Sequence, residues 1–259
     1  MCHRVNESAL PHAGCDVGIV FAVPIEADAF ERLSTDRVEI QAGTGRFHEG
    51  NVAGRRVAWC VAGIGVAAAA AATRLLVEGH RPRLLITAGF AGGLDPALFR
   101  GSVVRPGVSL AESGADPIPL SPIGTVAESA SRAAAIITVS AVAATVEAKR
   151  LLATRFGAQL VDMETHAVAS VARAAGIACA AVRVISDDAS QELPREVAAL
   201  AAPQSSLRRL GAAVGAIGRR PRAAVDLWRL WEHAVIDGKT LAAALVELVQ
   251  AVPGPPSHS

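Results

Sequence analysis

The stretch Val161–Ala189, VDMETHAVASVARAAGIACAAVRVISDDA, decides the fold. It reads strand, helix, strand. Glu164 opens the helix directly after the apolar approach Gln159–Val161. The run Ala178–Ile185 has the length and unbroken apolarity of a strand buried on both faces, and Ser186 and Asp187 follow it. Such strands belong to sheets covered by helices, so the stretch predicts an α/β domain of three layers, a central mixed β-sheet flanked by helices. Both carboxylates fall at carboxyl ends of strands, the side on which open α/β sheets bind ligands. Two acids in one crevice can divide the cleavage of a bond to carbon, one protonating the leaving group and the other stabilising the cationic remainder. Each also has a plainer reading: Glu164 as a first-turn acid favoured by the helix dipole, Asp187 as the cap of a following helix.

At 259 residues the chain fits a single domain, expected over 16–250, with a disordered extension at 1–15 and a Pro-rich tail at 251–259. Hydrophobic residues make up 51% but aromatics only 3%, so Ala and Val must fill the core and the layers must pack closely. A net charge of +1 provides no electrostatic footprint for nucleic acid. The apolar run Val57–Ala72 is broken by Gly63 and Gly65, which reads as strand, turn and helix rather than a membrane span. The four cysteines are scattered without metal-ligand spacing, and Cys60 and Cys179 read as small core residues of a reducing cytoplasm. No metal or organic cofactor is implied.

Outward from the opening stretch, Val17–Val23 reads as the first strand and Ile25–Leu33 as the first helix, placing Glu26 just past a strand end. Val38–Ala42, Phe47–Val52 and Val57–Ala62 read as strands. Gly63-Ile64-Gly65 turns the chain into an Ala-rich helix to about Glu78; without a third glycine it is a poor dinucleotide signal. Arg83–Ala88 reads as a strand opening into the loop GFAGGLDP, Gly89–Pro96, whose glycines imply close backbone approach. Val103–Val108 and Ile136–Val142 are further strands and Thr145–Phe156 a helix. His166 lies about 200° around the helix from Glu164, so it reads as a packing or surface residue. The C-terminal region 203–250 is helical by its spacing, with Trp228 and Trp231 among arginines. The plain account is a helix covering the sheet, with a dimer contact. The sharper one is peripheral contact with a membrane.

Together, DMExxAVAxVAxxxGIxxxxxRxISDxA at 162–189, VGIVFAVPIEAD at 17–28, the GIG turn and GFAGGL resemble the nucleoside phosphorylase/nucleosidase superfamily, nearest to the methylthioadenosine/S-adenosylhomocysteine nucleosidases. The resemblance implies cleavage of the ribosyl N-glycosidic bond of an adenine nucleoside. In it Asp187 protonates the purine N7, a task that asks burial to keep its carboxyl protonated. Glu164 binds the ribose and stabilises its charge, Glu26 activates water, and Arg183 helps position it. Met163 lies under the ribose; Gly63, Phe90, Ala91, Gly92 and Ser186 border the substrate. Phe90 departs from the usual serine of that loop, Val66 and alanines provide phosphate no side-chain donor, and Val and Ala stand where an aromatic residue normally stacks on the base. Phe90, the METHA variant, the shortened middle and the Arg/Trp-rich C-terminus resemble the hopanoid-associated branch. That implies adenosylhopane as substrate of a cytoplasmic homodimer that docks at a membrane. The alternatives are a methylthioadenosine/S-adenosylhomocysteine nucleosidase, a phosphate-dependent phosphorylase, and a non-catalytic nucleoside-binding relative.

Overall fold

The computed structural model describes residues 14–42, 45–123, 134–193 and 221–253, the side chains of 221–231 excepted. The elements in chain order are β1 (Val17–Phe21), α1 (Pro24–Glu31), β2 (Thr35–Ala42), β3 (Gly45–Val52), β4 (Arg55–Val61), α2 (Val66–His80), β5 (Leu84–Gly93), β6 (Val103–Val104), β7 (Val108–Ala111), β8 (Ile118–Pro119), β9 (Ala135–Thr138), α3 (Val146–Phe156), β10 (Leu160–Asp162), α4 (Thr165–Ala174), β11 (Ala178–Asp187) and α5 (Pro221–Ala251).

The strands form a mixed sheet in the order β2-β3-β4-β1-β5-β10-β9-β7-β8, with β11 pairing both β5 and β6. Successive side chains of β1 supply both outer layers, as the period of a strand requires. Val17, Ile19 and Phe21 enter a core with Phe30 of α1 and Leu241, Leu245 and Leu248 of α5. Val20 enters a second core with Ala69 and Leu76 of α2 and Ala167, Val168 and Ala172 of α4. A mixed central sheet flanked by helices is therefore the architecture, as expected from the opening stretch.

β5 is the axis of the sheet. It runs parallel to β1 on one side and to β11 on the other, and at Gly92 and Gly93 it adds antiparallel pairing with β10. The expected loop from Gly89 is thus strand as far as Gly93, because neighbours on both edges satisfy its backbone. The single strand expected at Val103–Val108 is divided into β6 and β7 around Pro106, which has no N–H for a ladder. Of the expected N-terminal extension, Gly14 and Cys15 are described. Cys15 is 1% exposed, its N–H bonded to the His80 carbonyl, so it belongs to the packed domain. At the other end α5 continues to Ala251, and Val252 is buried in the first core. Residues 194–220 and 254–259, which carry part of the expected helical region and tail, lie outside the described residues.

Candidate active site

Pro24 starts α1 in the position where its missing N–H costs nothing, and Glu26 follows at N3. The Glu26 carboxylate accepts the N–H groups of Ala22 (2.8 Å) and Val23 (3.0 Å) on one oxygen and that of Phe90 (2.8 Å) on the other. The helix-terminal reading of this acid therefore holds, and the same bonds aim it at β5. Its approach requires Gly89, where a Cβ would stand 2.5 Å from Glu26 Oε1. Burial raises the pKa of Glu26, opposed by the three N–H groups and the charge of Arg183.

Glu164 is the N-cap of α4, yet its side chain does not cap that helix. It reaches across to α2, accepting the Gly65 N–H at 2.6 Å. Gly65 has φ of +99° and Gly63 of +90°, a region that favours glycine, so the GIG turn is what aims this donor. Burial, then the negative charge of Asp162, raises the Glu164 pKa from 4.5 to about 7. Gly63, expected to border the substrate, is not in the cavity wall: its N–H bonds the Ala22 carbonyl (3.0 Å) in support of the turn, and Ile64 lines the wall instead.

Arg183 is 2% exposed in the middle of β11. Its Nη2 donates to Asp162 Oδ2 (2.9 Å), Thr87 Oγ1 (2.7 Å) and Thr165 Oγ1 (2.7 Å). Asp162 also accepts the Thr165 N–H (2.8 Å) and the Thr138 hydroxyl (2.7 Å). Asp162, Thr87 and Thr165 are thus part of the site and were not singled out from sequence. The available signal was an arginine within an apolar strand, which demands a buried counter-charge.

Asp187 lies past a register shift, Ile185 facing Ala91 and Asp187 facing Gly92, and this bulge re-aims the last residues of β11. The Ser186 hydroxyl donates to Asp187 Oδ1 at 2.6 Å. Oδ2 stands 2.6 Å from Lys149 Nζ. Oδ2 makes no hydrogen bond of regular geometry, so this contact is an ion pair. Turn residues, not a helix, come next: Asp188 accepts the Ser190 N–H and hydroxyl, so Asp187 caps nothing. Lys149, from α3, is a fourth site residue, without a signal in the sequence: one cation in a helix rich in charge.

These side chains meet at a cavity of about 240 Å³ whose wall includes Glu26, Phe90, Ala91, Gly92, Met163, Glu164, Ser186 and Asp187. Val139, Val142, Ala143 and Leu193 supply an apolar side, and no aromatic ring other than Phe90 borders it among the described residues. Arg183 is absent from that wall. It lines a much smaller void of about 10 Å³ shared with Glu26, Thr87, Phe90 and Glu164, about the space of one water molecule. A larger groove of about 770 Å³ runs between α2 and α4 past His166. His166 is 8% exposed, 3.3 Å from the Ser109 hydroxyl, and burial lowers its pKa. The candidate chemistry belongs to the smaller cavity, where the carboxylates converge. Among the described residues no group of three or more His, Cys, Asp or Glu side chains could hold a metal ion.

The cavity wall brings together Asp187, Glu164 and Glu26, and the last two also line the water-sized void. Residues 16–217 match the Phosphorylase superfamily, to which the chain belongs. Among curated proteins, the 5'-methylthioadenosine/S-adenosylhomocysteine nucleosidase of Actinobacillus succinogenes is 38% identical over 88 residues, 34% of this chain and 38% of the relative. That of Haemophilus influenzae is 35% identical over the same length. The chain thus spans about two fifths of the curated relatives it matches. Among solved structures, the S-adenosylhomocysteine nucleosidase of Streptococcus pyogenes, in complex with 5-methylthiotubericidin, is similar with a TM-score of 0.71 at 18% identity, covering 94% of this chain and 100% of that one. Futalosine hydrolase of Helicobacter pylori is similar with a TM-score of 0.65 at 19% identity, over 90% of this chain and 96% of that one.

Proposed function

We propose that the protein hydrolyses the ribosyl N-glycosidic bond of an adenine nucleoside and releases adenine. The observation that carries this reading is the water-sized void lined by Glu26, Glu164 and Arg183, adjoining a cavity that shares Glu26, Phe90 and Glu164 with it and whose wall also includes Asp187. In the reaction the bond from C1′ to the purine breaks and its electron pair goes to the base. Asp187 gives the base its proton, Glu164 faces the positive charge that develops on the sugar, and water from the void adds to C1′ as Glu26 takes its proton. Arg183 lines that void and holds Asp162, which in turn fixes the start of α4. Met163, Ser186, Phe90, Ala91 and Gly92 would shape the ribose and base contacts. The backbone N–H of Phe90, rather than its side chain, holds Glu26, so the substitution of a bulky residue at this point is compatible with the water role.

For the 5′ substituent the reading is an apolar group, with adenosylhopane favoured over the methylthioadenosine named for the relatives. Phe90 in the wall and the Trp228 and Trp231 segment support it. The enzyme is read as a cytoplasmic homodimer with peripheral membrane contact. Base release measured by chromatography with adenosine, methylthioadenosine and a long-chain adenosyl lipid tests both levels. No adenine from any of them removes the activity; faster turnover of methylthioadenosine than of the lipid removes the finer substrate.

A further inference from the structure

We infer that Lys149 is a positioning residue for the general acid, holding one oxygen of Asp187 so that the other faces the base. This rests on the proposed role of Asp187. α3 is otherwise a helix of exposed and half-buried residues, and Lys149 is its one buried side chain. At 1% exposure, an ammonium group is tolerated only where oxygen atoms receive its protons and a counter-charge stands close. The Lys149 ammonium meets both demands at one place. It donates to the carbonyls of Asp188 (2.6 Å) and Gln191 (2.9 Å) and stands 2.6 Å from Asp187 Oδ2.

Asp187 needs such a hold because it lies past the bulge, where the ladder with β5 no longer runs in register. Its two oxygens are held differently. The Ser186 hydroxyl on Oδ1 has a second acceptor in reach, the Ala91 carbonyl at 3.3 Å, and can turn to it when a base arrives. Lys149 has no such alternative, since its other bonds go to the turn that follows. Oδ1 is therefore the oxygen that carries the proton to the base, and Oδ2 stays against the ammonium. As the proton leaves, the negative charge left on Asp187 is met by a cation already in place, with no rearrangement. The same cation ties the Gln191 end of the turn that leads to Leu193 in the cavity wall.

The test compares leaving groups. Adenine needs a proton to depart; the phenolate of para-nitrophenyl β-ribofuranoside does not. Lys149→Met should lower kcat for the adenine nucleoside by about 10²-fold or more with KM changed by less than about threefold, and leave the nitrophenyl riboside within about threefold of the parent. Introduced into Asp187→Asn, the same change should cost adenine release nothing further. Equal losses on both substrates, or a further tenfold loss in the Asp187→Asn background, overturn the role. If Lys149→Met alone fails to fold, the charge-neutral pair Lys149→Met/Asp187→Asn against Asp187→Asn carries the comparison: no further loss of adenine release is expected, and a further tenfold loss overturns the role. A parent enzyme that releases adenine from no nucleoside overturns the proposed function and this role with it. A parent that does, with Lys149→Met indifferent to the leaving group, overturns the role alone.

Discussion

Glu164 faces two opposed demands. Burial and Asp162 raise its pKa to about 7, while stabilising a cationic sugar requires its anion. Turnover should therefore fall about tenfold per pH unit below about 7, once the carboxyl is mostly protonated. A flat kcat/KM between pH 8 and about 5.5 would remove Glu164 from the mechanism. The sign for stability is the reverse. A carboxyl whose pKa is raised from 4.5 binds its proton more tightly in the folded chain, so stability is lost as pH rises from about 4.5 to about 7. Glu164→Gln keeps an acceptor for the Gly65 N–H and removes the buried charge. It should raise Tm at pH 8 by about 2–4 °C for each kcal/mol of relief while abolishing turnover, which thermal melts and base release check together. For Asp187→Asn the expected loss is about 10²–10⁴-fold in base release. Sequence alone foresees no change in folding for this variant; Lys149 alters that, because its ammonium loses the counter-charge, at a cost of about 3–5 kcal/mol. An Asn variant that turns over near the parent rate removes Asp187 as the acid.

At the scale of elements, β5 shows where pattern and structure part. Its glycines read as a turn by local rules, which end the strand at Ala88. Pairing with β11 and β10 carries it to Gly93, and that continuation places the Phe90 N–H on Glu26. Gly89→Ala would set a Cβ 2.5 Å from Glu26 Oε1, a carboxylate already pinned by three N–H groups. Glu26 must yield, and kcat should drop by at least about tenfold with the circular dichroism spectrum kept. Unchanged kcat in a folded Gly89→Ala protein means that the position of Glu26 does not matter to the reaction. The helical spacing near the C-terminus, by contrast, was legible. α5 packs on α1 closely enough that a Cβ at Gly238 would come 2.9 Å from the Ile25 carbonyl, and Asp237 binds Arg100 at 2.8 Å.

At the scale of the whole molecule, the nucleophile and the membrane contact are each decided by one measurement. Hydrolysis predicts a free sugar product at the same rate with and without phosphate; formation of a sugar 1-phosphate that requires phosphate overturns it. No helix of the described residues is long and apolar enough to cross a membrane, and Leu241, Leu245, Leu248 and Val252 are committed to the core. The proposed contact with lipid is therefore assigned to the Trp228 and Trp231 segment before them. The parent should sediment with anionic vesicles and Trp228→Ala/Trp231→Ala should not; a parent that stays in the supernatant ends the membrane reading.

The sequence by itself determined the helix-flanked sheet and placed Glu26, Glu164 and Asp187 at strand ends, while Arg183 enters only through the family resemblance. Apolar periodicity and strand-end position are local properties, and they survive without a partner. Only the tertiary structure decided what surrounds those groups. That Glu164 reaches Gly65 of another helix, that Asp162 neutralises Arg183, and that a lysine from α3 meets Asp187 all join residues far apart in the chain. A buried charge announces in sequence that it needs a partner, but which partner depends on the strand order and the bulge, and these follow from packing the whole sheet at once.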